Sequence, residues 1–383
     1  MVVTNPDRIR GLEYSTVRFD LANPTASPVT VNLNANILQN VPSSNVVGAF
    51  PNVLGQQISI GGNFDGIAYD TTRKQIATGN AAGTLRTFSV SNPTSITQTS
   101  TTVAPIKMVY VQDVDSYYLI GGTNQVSVVD ASDGSETEVI TLAAGTYRDI
   151  VYNYINSSLY VLDTTNDIVA AINVFSNSVT STVTFPLGAG ITNFTFATQV
   201  NSLYVFDATL TSVHVVSCTS NTVTTTIAGA GGATLGVYSE QNNQVYYQDS
   251  TAGVIKIINV ATNTISGTTI AGLAGLVTDM AYSATTNHIW VYHVGASEIK
   301  VVSADSNTVV ANLGVPATFK GKLLYASNIN TVYVSSDSGG ASNYIQQIDS
   351  NSSQFYITGS TDYNQFIQDN LISPKKLDRI MIY

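Results

Sequence analysis

Along this chain an aromatic residue is followed eight positions later by a second, usually aromatic one, and the pair recurs every 41 to 44 residues. The anchors are Tyr69, Tyr110, Tyr152, Phe196, Tyr238, Tyr282 and Tyr325, and their partners are Ala77, Tyr118, Tyr160, Tyr204, Tyr246, Trp290 and Tyr333. A period of this length is too short for a domain and suits one sheet of four short strands. Such a unit cannot bury its faces alone and must stack on copies of itself. Seven copies predict an all-β, seven-bladed β-propeller.

One repeat shows the pattern in detail. Asp149-Ile-Val-Tyr-Asn is a short apolar run fit for a buried strand. The turn at Ile155-Asn-Ser-Ser is followed by a strand at Leu159-Tyr-Val-Leu, and Asp163-Thr-Thr-Asn-Asp turns the chain again. Ile168 to Val174 forms a third strand, and Val179 to Phe185 alternates apolar residues with threonine as an outer strand should. No stretch of the array has helical periodicity.

These residues resemble the YVTN-type β-propeller repeat. The matches are Leu159-Tyr-Val-Leu-Asp163, Leu203-Tyr-Val-Phe-Asp207, Ile258-Asn-Val-Ala-Thr-Asn-Thr-Ile265 and Val302-Ser-Ala-Asp-Ser-Asn-Thr-Val309. The resemblance implies the same fold and leaves the chemistry open.

The flanks set the domain organisation: an N-terminal β segment at 1–62 (with 57–61 closing the ring), the propeller at 63–358, and a C-terminal helix–strand anchor at 359–383. Ser15 to Leu21 and Val29 to Leu33 read as strands, Asp362 to Leu371 as a short helix, and Leu377 to Tyr383 as a final strand. Together the flanks are expected to form a small β-rich extension. Phe19-Asp-Leu-Ala-Asn-Pro, Val29-Thr-Val-Asn-Leu and the segment Asn370 to Tyr383 resemble parts of tailed-bacteriophage virion proteins. The basic tract with Lys375, Lys376 and Arg379, and a terminal strand that would leave an open edge at Tyr383, give the expected assembly residues as Arg18, Phe19, Lys375, Lys376, Arg379 and Tyr383. These would join other structural proteins of a larger particle through terminal strands.

Composition narrows the function. Fifteen basic against 25 acidic residues leave a net charge of −10, which disfavours a nucleic-acid partner, since phosphate contacts need lysine and arginine. The single cysteine, Cys218, rules out an intrachain disulfide or a cysteine-cluster zinc site. No window has the ~20 apolar residues of a spanning helix, and Met1 to Leu12 lacks the apolar core of a secretory signal. Few charges and abundant Ser, Thr and Asn then suggest a virion, with an extracellular or cell-surface location as the alternative.

The search for chemistry turns on the position eleven residues after each anchor, where the second strand meets its turn. Asp163, Asp207, Asp249 and His293 there form a candidate binding ring for a glycan on the outer loops. Asp65, Asp149, Asn193 and Asp279 lie near the starts of the inner strands on the same face. The histidines His214, His288 and His293 are too scattered for a metal site, and no nucleophile-elbow sequence accompanies them. The expectation is therefore a non-enzymatic structural or interaction protein without cofactor or metal. The alternatives are a carbohydrate-binding or adhesion propeller, and a propeller lyase or hydrolase, which shifted carboxylates clustered near the axis would favour.

Overall fold

The structure is a computed structural model and describes residues 30–32, 49–50, 53–60, 65–80, 82–186, 188–273, 277–294, 297–314, 322–335, 344–349 and 354–356. Two compact units emerge: Gln56–Gln347, and the two flanks together. In the flanking unit Gln354–Tyr356 pairs antiparallel with Thr30–Asn32 on one side and with Ala49–Phe50 on the other, a small sheet built from both ends of the chain. The expected helix at 362–371, the strands at 15–21 and 377–383, and all six assembly residues (Arg18, Phe19, Lys375, Lys376, Arg379 and Tyr383) lie outside the described residues.

Gln56–Gln347 is a seven-bladed propeller. Blade three shows the plan: Tyr147–Asn153, Ser158–Asp163, Ile168–Asn173 and Ser178–Thr184 follow one another as an antiparallel meander from the axis outward. The inner strands of the other blades are Gly66–Asp70, Lys107–Val111, Ile191–Ala197, Ala233–Ser239, Val277–Ser283 and Leu323–Ala326. Each packs against the next, and Leu323–Ala326 returns to Gly66–Asp70, which completes the ring. Blade seven takes its outer strand, Val53–Ser59, from the N-terminal side of the array and the rest from the C-terminal side. This arrangement leaves no blade short of a strand.

The aromatic period has a physical cause. Second-strand tyrosines are buried between blades, and their hydroxyls reach the third-to-fourth turn of the following blade. Tyr118 donates to Asn177 at 2.7 Å, Tyr204 to Asn263 at 2.5 Å and Tyr246 to Asn307 at 2.7 Å. Each of these asparagines is left-handed, with φ of 49°, 53° and 54°, a conformation asparagine tolerates better than most residues. The anchors do the same within their own first turn: Tyr238 bonds Asn243, Tyr282 bonds Asn287 and Tyr325 bonds Asn330, all at 2.9 Å. These aromatics hold blade to blade and turn to strand.

Candidate active site at the propeller axis

The inner strands of blades three, four, five and six each slip register near their start, between Tyr147 and Asp149, Ile191 and Asn193, Ala233 and Gly236, and Val277 and Asp279. A bulge of this kind re-aims the side chain beside it. The residue three before the anchor lies at the axis in five blades: Asp149, Asn193, Leu235 and Asp279 beside these slips, and Lys107 on the regular inner strand of blade two, all line one cavity of about 220 Å³. Gly66 and Lys322 hold the same repeat position in blades one and seven. Val151, Val237 and Met280 add apolar surface to the same cavity.

Both carboxylates are anchored by one device used twice. Asp149 accepts the Ile150 N–H at 2.9 Å and, from the next blade, the Phe194 N–H at 3.2 Å. Asp279 accepts the Met280 N–H at 3.0 Å and the Leu323 N–H of the next blade at 2.8 Å. Asp149 is buried and forms an ion pair with the Lys107 ammonium, whose side chain keeps 38% of its accessibility because it faces the channel.

Electrostatics separate the two charged types. Burial works against the Lys107 ammonium, yet the Asp149 and Asp279 carboxylates and the hydrogen bond to Asp149 outweigh it and hold its pKa above the ordinary lysine value. Burial also dominates at Asp279 and raises its carboxyl above the ordinary value of 3.8, against the opposing pull of Lys322, Lys107 and the two N–H donors. The cavity thus combines a cation that stays charged with a carboxyl that holds its proton to higher pH than an exposed aspartate does.

The turn ring is a different kind of structure. Asp163, Asp207 and Asp249 are buried, and each ties its own turn to the loop entering the inner strand. Asp163 accepts N–H groups of Thr146 and Thr165, both at 2.9 Å. Asp207 accepts from Gly190 at 3.1 Å and Leu210 at 2.8 Å, with His214 Nε2 3.2 Å from its other oxygen. Asp249 accepts from Gly232 at 2.9 Å and from the Lys256 ammonium at 2.8 Å. His293 is buried with Nδ1 3.4 Å from Glu298, so it faces its own blade and not Asp249. None of the four lines the axial cavity.

The structure brings together Asp149, Asn193 and Asp279 of the inner-strand set and leaves Asp65 out of the lining. Lys107 and Lys322 are not singled out by composition or motif, but reading the third position before each anchor down the seven repeats finds them. Burial pushes the Cys218 thiol up to about 11, in keeping with a packing role. Among the described residues no group of three metal-binding side chains converges, and no helix is long and apolar enough to cross a membrane.

No protein-family model matches the chain, and no curated protein matches it. A solved structure of streptogramin B lyase aligns with a TM-score of 0.65 at 12% identity, covering 79% of this chain and 99% of the lyase. That likeness shows the fold. It also corrects the expectation of a non-enzymatic protein: a propeller of this shape is the scaffold of a lyase, and the scattered histidines that argued against chemistry are not where this molecule concentrates charge.

Proposed function

We propose that the chain is a propeller enzyme of the lyase or hydrolase kind, working by acid–base chemistry at the axial cluster. The reading is carried by one observation: a carboxyl that burial raises above the ordinary aspartate value and a lysine that neighbouring carboxylates keep charged line the same cavity. A carboxyl raised toward the working pH beside a fixed positive charge is a pairing that acid–base catalysis uses. Asp279 gives its proton to the leaving oxygen as the C–O bond breaks. Its carboxylate takes a proton back from the water that adds to the acyl carbon in hydrolysis, or from the α-carbon as the C=C bond forms in elimination. Lys107 stabilises the negative charge that develops on the acyl oxygen. Asp149 is a positioning residue: its backbone bonds fix it, and its ion pair aims the ammonium. Among the described residues nothing favours the virion or glycan readings.

The test is a panel of esters, lactones and β-oxygenated carboxylates, streptogramin B among them, incubated with the full chain and followed by mass spectrometry. Turnover of at least one member is expected. Asp279→Asn, which keeps the shape, removes the transferable proton and gives up one of the two backbone acceptors, should slow it roughly 10²–10⁴-fold, with a circular dichroism spectrum that shows the propeller still folded. A panel left intact, or equal rates in the variant, would count against the reading.

A further inference from the structure

We infer that the axial cavity takes a small monocarboxylate with a short apolar tail, its carboxylate on the Lys107 ammonium and its tail against Val151, Leu235, Val237 and Met280. The inference rests on the axial cluster being the working site and names what that site holds.

Three observations carry it. The first is a donor surplus. Asp149 already accepts two backbone N–H groups and the lysine, and Asp279 accepts two more. An ammonium has three donors, and Lys107 commits to one carboxylate while keeping 38% of its side chain open to the channel. Two ammonium donors remain for a group in the channel, and an anionic acceptor is what such donors bind most strongly. The charges acting on Asp279 point the same way: they come from Lys107 on blade two and Lys322 on blade seven, while its partner across the sheet is Tyr292 and blade five contributes Leu235 and Gly236.

The second is size. About 220 Å³ holds roughly seven water-sized atoms at ~30 Å³ each. This is smaller than most pockets that take cofactors or saccharides. The third is the rest of the lining, where Val151, Phe194, Phe196, Leu235, Val237 and Met280 accompany the charged groups and offer a short hydrocarbon its burial energy.

Isovalerate has seven non-hydrogen atoms and serves as the probe, with isovaleramide as its neutral isostere and isoamylamine as its cationic counterpart. Calorimetric titration of the full chain at pH 6 should show isovalerate bound at least tenfold more tightly than the amide, and no binding of the amine. Lys107→Met should weaken isovalerate at least tenfold. Lys107→Arg, which keeps the charge if the methionine variant fails to fold, should stay within tenfold of wild type, and the exposed Lys74→Asn should leave affinity unchanged. Equal binding of acid and amide, preference for the amine, an unaffected Lys107→Met or a wild type that ignores isovalerate would each overturn the inference. Because binding is read without turnover, an inactive panel with isovalerate still bound removes the catalytic reading alone.

Discussion

The Tyr160 hydroxyl donates to Asn221 Oδ1 at 2.8 Å, across the boundary between blades three and four. Removing it with Tyr160→Phe keeps the buried ring but deletes the donor to Asn221 and the acceptor for Asn156 Nδ2, so a loss of about 1 kcal/mol is expected. Asn221→Ala should cost more. It removes the acceptor and places alanine at φ 52°, where a residue without a short polar side chain is strained by roughly 1–2 kcal/mol. Urea unfolding of the two variants checks the order, and a phenylalanine variant as stable as wild type would contradict it.

Gly231 has φ 73°, and a Cβ built on it would lie 2.2 Å from Asp249 Oδ2. Gly231→Ala must therefore displace a carboxylate that holds both Gly232 and Lys256. A destabilisation of roughly 2–4 kcal/mol is expected, read as a lower midpoint in thermal unfolding. Gly267, with open space around its Cβ position, provides the control, and its alanine variant should fall within about 0.5 kcal/mol of wild type.

Asp167 is buried in the second-to-third turn of blade three, and its Oδ1 has no hydrogen-bond partner among the described residues. Burial, with Asp207 and Asp163 adding to it, holds its carboxyl above the ordinary 3.8. A raised acid contributes stability that is complete below 3.8 and is lost as pH rises through the folded value. Asp167→Asn removes that loss and suits the left-handed backbone at φ 52°. Above the window the variant should be more stable than wild type by roughly 1 kcal/mol, and below it the two should converge. Denaturation at pH 4 and pH 7 distinguishes this from a pH-independent gain.

Asp279 sets the pH dependence of the proposed chemistry. Because its carboxyl is raised above 3.8 by burial, the protonated acid persists to higher pH than in an exposed aspartate. On the basic side the rate should fall tenfold per pH unit once pH passes the folded value. Asp279→Asn should flatten that limb and leave only the residual rate. A basic limb unchanged in the variant would assign the proton to another group.

The scaffold is plain in the sequence because the +8 tyrosines and the turn asparagines are local, repeated and chemically distinctive. Val53–Ser59 is legible as the closing strand from Gln57 to Ile60, although its start lies four residues earlier. The axial site is harder to see. Asp149 and Asp279 are visible as polar residues near strand starts, but what turns them to the axis is a register slip that no residue type announces. Lys107 and Asp149 stand 42 positions apart and meet only once the blades are stacked. Asp163, Asp207 and Asp249 mislead for the converse reason: a carboxylate opening a turn looks the same in sequence whether it faces solvent or its own backbone.

The closing strand imposes a timetable on biogenesis. Val53–Ser59 leaves the ribosome early, but its partner, Tyr344–Asp349, follows about 285 residues later, roughly 15–60 s at ordinary elongation rates. Through that interval the nascent chain carries a lone unpaired strand and an unfinished circle, and only the last repeat can retire both. The final seconds of synthesis are thus when this molecule first acquires an axis, and with it the cavity where its charges meet.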